Sequence, residues 1–210
     1  MEIDYSQYNK LPLKFDDPLD IFLKKYIDKL IIPCKKLGIT PNMITTISFL
    51  FGLFSCYFYY KQYYIISSIC YLLFYFFDVM DGYYARIYEM YSTFGSYYDI
   101  ITNIFVAILL FYLFITNKHI KYNSIKFYIF IIFVLFAIGT FYHFSCQEKY
   151  TQQNKEKYTS EGLSFVSLVK CDNVNKMKYT KYFGSGNNCI LVIIIIISHM
   201  FFTNITKKYR

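Results

Sequence analysis

Residues 74–103 read FYFFDVMDGYYARIYEMYSTFGSYYDIITN, and this stretch decides the fold. The aromatic run from Phe74 to Phe77 leads straight into Asp78, Asp81 and Arg86, before the apolar segment that carries them has ended. A charged side chain in hydrocarbon costs roughly 2.5–3.5 kcal/mol by insertion scales unless it is paired, hydrated or ligating. Charges this closely grouped mark a functional site within a membrane span, because a simple anchor would not carry them. Asp78, Asp81, Gly82 and Ala85 stand at i, i+3, i+4 and i+7 and so share one helical face. Across the next turn, Gly95, Asp99 and Asn103 stand at i, i+4 and i+8, again on one face. Two antiparallel helices therefore bring three carboxylates and an amide together near one membrane surface. Gly82, Ala85 and Gly95 leave room there for a ligand or for close helix approach.

The rest of the chain fits this reading. Of its 210 residues 56% are hydrophobic, above the 45–50% or so of a soluble domain. The apolar residues cluster in runs near the length of about 20 residues that crosses roughly 30 Å of hydrocarbon. Four spans are predicted within 41–146, at about 41–60, 63–90, 95–115 and 125–146, and a shorter fifth run covers 189–203. A sixth, partial or re-entrant crossing is open near 160–172. The predicted fold class is thus all-α, a multi-pass transmembrane helix bundle forming a single membrane-embedded domain over 1–210.

Residues 1–16 read as a polar tail without the apolar core of a cleavable signal peptide. In 18–36, Leu19, Phe22, Leu23, Tyr26, Ile27, Leu30 and Ile31 recur at helical spacing among acids and lysines. This predicts an N-terminal amphipathic helix along the interface, lysines toward the headgroups; packing on a protein core is the alternative. Residues 147–188 read as a polar, lysine-rich loop. The lysine distribution places the N-terminus and this loop in the cytoplasm. A five-span count then puts the basic C-terminal tail on the far side.

The net charge of +8 matches lipid headgroups better than nucleic acid, since most lysines flank the apolar runs. Cys34, Cys56, Cys70, Cys146, Cys171 and Cys189 are scattered without a CxxC pair, so neither a zinc site nor a disulfide framework is expected. His119, His143 and His199 are isolated and receive no catalytic role.

Clustered carboxylates, glycines and one arginine suit phosphoryl chemistry. Hard divalent cations such as Mg²⁺ take oxygen ligands and bridge protein carboxylates to substrate phosphates, and a pair of them can polarise a phosphoryl group. A guanidinium offsets remaining phosphate charge. Written as a pattern, Asp78-x2-Asp81-Gly82-x2-Ala85-Arg86-x8-Gly95-x3-Asp99-x3-Asn103 resembles the class-I signature of the CDP-alcohol phosphatidyltransferase family, D-x2-D-G-x2-A-R-x8-G-x3-D-x3-D. Every fixed position agrees except the last. Pro41-Asn42-x2-Thr45 is similar to the element that opens the first span in that family.

The resemblance implies six membrane helices, a homodimer, two divalent ions (Mg²⁺ or Mn²⁺) at the cytoplasmic surface, and transfer of a substituted phosphate from a CDP-alcohol to an acceptor alcohol with release of CMP. Carried over by position, Asp78, Asp81, Asp99 and Asn103 are the metal positions. Asn42, Thr45, Gly82, Arg86 and Ser92 are the substrate-binding ones. Asn103 also holds the place of the family's catalytic base. An amide oxygen can ligate a cation, but an amide cannot accept a proton near neutral pH; general base catalysis contributes about 10²–10⁴-fold. The lost charge also weakens the second metal. Glu89 and Asp99 are poor substitutes as a base. The expectations are therefore a functioning or slow phosphotransferase, a pseudoenzyme of the same fold that binds nucleotide-lipid, or, third, an ion pathway or transporter.

Overall fold

The computed structural model describes residues 8–117, 123–153 and 171–208. These form helices α1 (Pro18–Lys36), α2 (Pro41–Tyr60), α3 (Tyr64–Ile87), α4 (Thr93–Thr116), α5 (Asn123–Gln153), the single turn α6 (Met177–Thr180) between short 3-10 turns, and α7 (Ser185–Lys208). No strand occurs among the described residues. Five helices, α2 to α5 and α7, are long and apolar enough to cross a membrane. The chain is an integral membrane helix bundle. The proposed sixth crossing near 160–172 falls almost wholly outside the described residues.

Local sequence explains the helix starts. Asp17 caps α1 by accepting from the Leu19 amide at 2.9 Å, with Pro18 in the first turn. Thr40 caps α2 in the same way, followed by Pro41. The first span matches its predicted limits, while α5 runs on to Gln153 and α7 begins at Ser185.

α2 packs along α3 more extensively than any other pair, α4 lies against α2, and α7 against α3. Gly52 permits close approach of α2 and α4: a methyl group there would stand 2.6 Å from the Val106 side chain. Buried hydroxyls join the helices through backbone carbonyls, as Ser48 does to Phe74 at 2.8 Å and Ser67 to Ser55 at 2.8 Å. Such bonds suit a medium in which polar groups have no water to turn to. At the end of the bundle remote from the motif, the Tyr59 hydroxyl meets His199 Nδ1 and accepts from Asn117 Nδ2 at 3.0 Å. His199 thus ties α7 to α2 and to the end of α4.

α1 buries Leu23, Ile27 and Ile31 against Met80, Tyr83 and Tyr84 of α3. It leaves Phe22, Tyr26 and Leu30 exposed along a neighbouring edge. The helix therefore packs on the protein core and still presents an apolar edge. Lys24 departs from the expectation that the lysines face headgroups: it is buried and paired with Asp16. The Leu11 and Phe15 side chains of the tail are buried too, in a cluster with Cys146, Cys171 and Met177.

Cys146 and Cys171 form a disulfide, which corrects the reading of all six cysteines as simple thiols. Twenty-five positions separate the pair in sequence. No local spacing rule reaches that far; they meet because the chain returns to the end of α5 before entering α6.

Candidate active site

Asp78 lies nine residues before the end of α3, and Asp99 and Asn103 lie six and ten residues into α4. At 1.5 Å per residue, these groups sit about 9–15 Å from the ends of their helices. α3 ends and α4 begins on the same side of the bundle, so the two faces read from the sequence do meet. Asn103 Nδ2 donates to Asp78 Oδ1 at 2.5 Å and to Asp99 Oδ1 at 2.9 Å. One amide group therefore joins the two helices.

Asp81 is held differently. Its Oδ2 accepts from the Thr45 hydroxyl of α2 at 2.6 Å, and both residues are buried. This contact explains the placing of the Pro41-Asn42-x2-Thr45 element: Thr45 is one turn along α2, facing α3. Asn42 reaches Gly95 instead, where a Cβ would stand 2.8 Å from Asn42 Oδ1 and 3.1 Å from Ser92 Oγ. A side chain at 95 would have to displace the Asn42 amide. The Ser92 hydroxyl caps α4 by accepting from the Gly95 amide at 3.0 Å. Gly82 has more space, for a Cβ there would meet only Arg86 Nη1, at 3.4 Å. Glu89 falls in the turn after α3, beyond the face that carries Asp78 and Asp81.

Arg86 Nε donates to the Tyr8 carbonyl at 3.0 Å, and its guanidinium stands 6.0 Å from the Tyr83 ring centre. Lys24 stands 5.7 Å from the same ring. Asp16, Asp81 and Asp20 are the carboxylates within electrostatic reach of Arg86. The N-terminal segment thus contributes to the surroundings of the motif, which sequence reading missed. A signal was present: Asp20 and Lys24 share the inward face of α1 with Ile27 and Ile31, at i, i+4, i+7 and i+11.

Asp20 is hydrogen-bonded by the Tyr75 hydroxyl of α3, which also reaches Ser185 of α7 at 3.1 Å. Burial, reinforced by Asp17 and Asp16, raises the Asp20 carboxyl to about 7. Asp17 Oδ2 accepts from the Gly186 and Asn187 amides at 3.1 and 3.3 Å, so a single carboxylate caps both α1 and α7. Of the histidines, His143 Nδ1 meets Thr180 Oγ1 at 3.0 Å and His143 Nε2 meets Gln147 at 3.0 Å. His119 lies outside the described residues.

The oxygen donors of Asp78, Asp81 and Asp99 suit a hard divalent cation. Among the described residues, however, no three His, Cys, Asp or Glu side chains are grouped as a ready cage for one. Thr45 draws Asp81 toward α2, and Asn103 stands between the other two acids.

Buried carboxylates beside an arginine, on facing helices at one end of a membrane bundle, define a polytopic membrane protein with an acidic intramembrane site. The family model described as CDP-alcohol phosphatidyltransferase matches residues 38–203, and the chain belongs to this family. Membership implies, in general terms, phosphatidyl transfer from a CDP-alcohol and a place in phospholipid synthesis. The comparisons with curated proteins and with solved structures gave no match.

Proposed function

We propose that the chain transfers a substituted phosphate from a CDP-alcohol, of the CDP-diacylglycerol or CDP-choline/ethanolamine type, to an acceptor alcohol, releasing CMP. The observation that carries this reading is the meeting of Asp78, Asp99 and Asn103 across α3 and α4, with Asp81 and Arg86 on the adjoining turns of α3. Asp78, Asp81 and Asp99 would hold Mg²⁺ or Mn²⁺, which when bound neutralises diphosphate charge and polarises the phosphoryl group. Arg86 offers forked donors to the remaining phosphate oxygens. Because residues 8–10 lie over it, they must yield when a nucleotide enters. Gly82 leaves space for the nucleotide beside the acids. Asn42 and Thr45 line the α2 side, and Ser92, with Gly95, shapes the entrance at the start of α4.

Asn103 supplies no base, so the acceptor hydroxyl loses its proton to solvent or to substrate phosphate, and turnover is slow. One observation favours the pseudoenzyme reading as a second possibility: the Asn103 amide already satisfies two of the acids without substrate. The bare apolar faces of α4 and α5, including Ile101, Ile104, Ile108 and Leu135, suit lipid and the homodimer expected of the family. Lysine-rich flanks support a cytoplasmic motif face.

The test is CMP release by the purified full chain, supplied with Mg²⁺ or Mn²⁺ and a panel of CDP-alcohol and acceptor pairs. At least one pair is expected to give slow, chelator-sensitive release. Metal-dependent CDP-alcohol binding without CMP from any pair would establish the pseudoenzyme. Absence of both would end the proposal.

A further inference from the structure

Asn103 has a geometric consequence beyond the loss of a base. Its Nδ2 stands between two carboxylate oxygens on different helices, 2.5 Å from Asp78 and 2.9 Å from Asp99. A cation bridging Asp78 and Asp99 would occupy that gap, with Mg²⁺ about 2.0–2.1 Å from each oxygen. The amide hydrogens, which carry partial positive charge, already lie there. Both bonds have carboxyl acceptors, and the two carboxyls also hydrogen-bond each other. A cation entering the gap must break both, and the amide that turns aside offers it only a neutral oxygen.

Asp81 lies outside this arrangement. Its Oδ2 is held by the neutral hydroxyl of Thr45, and the adjoining Gly82 leaves open space. A hydroxyl that donates to a carboxylate leaves the carboxylate's charge and its remaining lone pairs in place. Asp81 would therefore be the carboxylate that holds a single cation while the Asn103 bridge stays in place.

Resting on the phosphotransferase reading above, we infer that this chain takes up one tightly bound divalent cation and not two, because the Asn103 amide closes the position between Asp78 and Asp99. Asn103 is on this account a positioning residue that sets metal stoichiometry and holds α3 to α4. An aspartate at 103 removes the two donors, adds a fourth carboxylate and opens the second position.

The test is a Mn²⁺ titration of the detergent-purified full chain, with bound ion counted from the loss of the free Mn²⁺ signal in electron paramagnetic resonance. Wild type is expected to bind one Mn²⁺ per chain tightly, with any second at least a hundredfold weaker and no spin coupling. Asn103→Asp is expected to bind two, with a spin-coupled pair. Two comparably tight, coupled ions in the wild type would overturn the inference and leave the phosphotransferase reading standing. No bound Mn²⁺ in the wild type, alone or with CDP, would overturn both. If Asn103→Asp folds, as judged by thermal unfolding, and binds only one ion, the role given to Asn103 is wrong. If it does not fold, the wild-type count and Asn103→Ala, which removes the blocking amide and is expected to bind a second ion more tightly than wild type, decide the matter.

Discussion

Two sets of carboxylates lie on the N-terminal segment and on α3 and α4, and their partners differ in kind. Asp16 and Asp17 are answered by a buried lysine and by backbone amides: Asp16 pairs with Lys24, and Asp17 caps two helices at once. Asp78, Asp81 and Asp99 are held chiefly by neutral side chains, the Asn103 amide and the Thr45 hydroxyl, with the Gly82 amide and Arg86 also acting on Asp81. Backbone caps and ion pairs consume a carboxylate's capacity in holding the fold together. Single neutral donors orient a carboxylate and leave its charge for a ligand. On the proposed function, the first set builds the bundle and the second serves chemistry, although all five residues are aspartates.

The sharpest way to break this comparison is to remove one acid from each set. Asp78→Ala is expected to lower CMP release by about 10³-fold or more, on the scale of losing one group that stabilises charge in the transition state, with little change in thermal unfolding. Asp17→Ala should do the reverse. It removes caps from both α1 and α7, each worth about 0.5–2 kcal/mol, so the unfolding temperature falls while Mn²⁺ uptake per folded chain is retained. A loss of metal binding in Asp17→Ala, with stability intact, would show that the two sets do not divide in this way.

Asp20 stands between them, and its effect is smaller. Its carboxyl is raised to about 7, against about 3.9 in an unfolded chain. The neutral acid is therefore favoured in the folded state. The resulting contribution to stability is complete below about pH 4 and is lost as pH rises through about 7. The charged and titratable groups around it are Asp16, Asp17 and Lys24 on its own segment, Tyr75 and Arg86 on α3, and Cys189 on α7, with the Ser185 hydroxyl beside Tyr75. Thermal unfolding followed between pH 5 and pH 8 should show wild type losing stability as pH rises, and Asp20→Asn should flatten that slope.

The acidic site was legible in the sequence because charges are costly in hydrocarbon and because helical spacing fixes which residues share a face. Asp78, Asp99 and Asn103 follow from those two facts, and the first span from Thr40 and Pro41. Three things were not legible. Asp16 and Asp17 sit in a segment that reads as a polar tail, and their partners, Lys24, Gly186 and Asn187, are set by how the N-terminus docks on α3 and α7. Lys24 looked like any interfacial lysine until its face was shared with Ile27 and Ile31. The Cys146–Cys171 bond depends on where α5 ends relative to α6, which no spacing within either segment encodes.

On the proposed function Asn103 separates a slow phosphotransferase from an efficient one, and the direct measurement is CMP release by wild type and Asn103→Asp side by side, with the same CDP-alcohol, acceptor and Mg²⁺. Restoring a carboxylate that can take the acceptor's proton is expected to raise the rate by about 10²-fold or more, within the range for general base catalysis. A folded Asn103→Asp chain that releases CMP no faster than wild type would contradict the account.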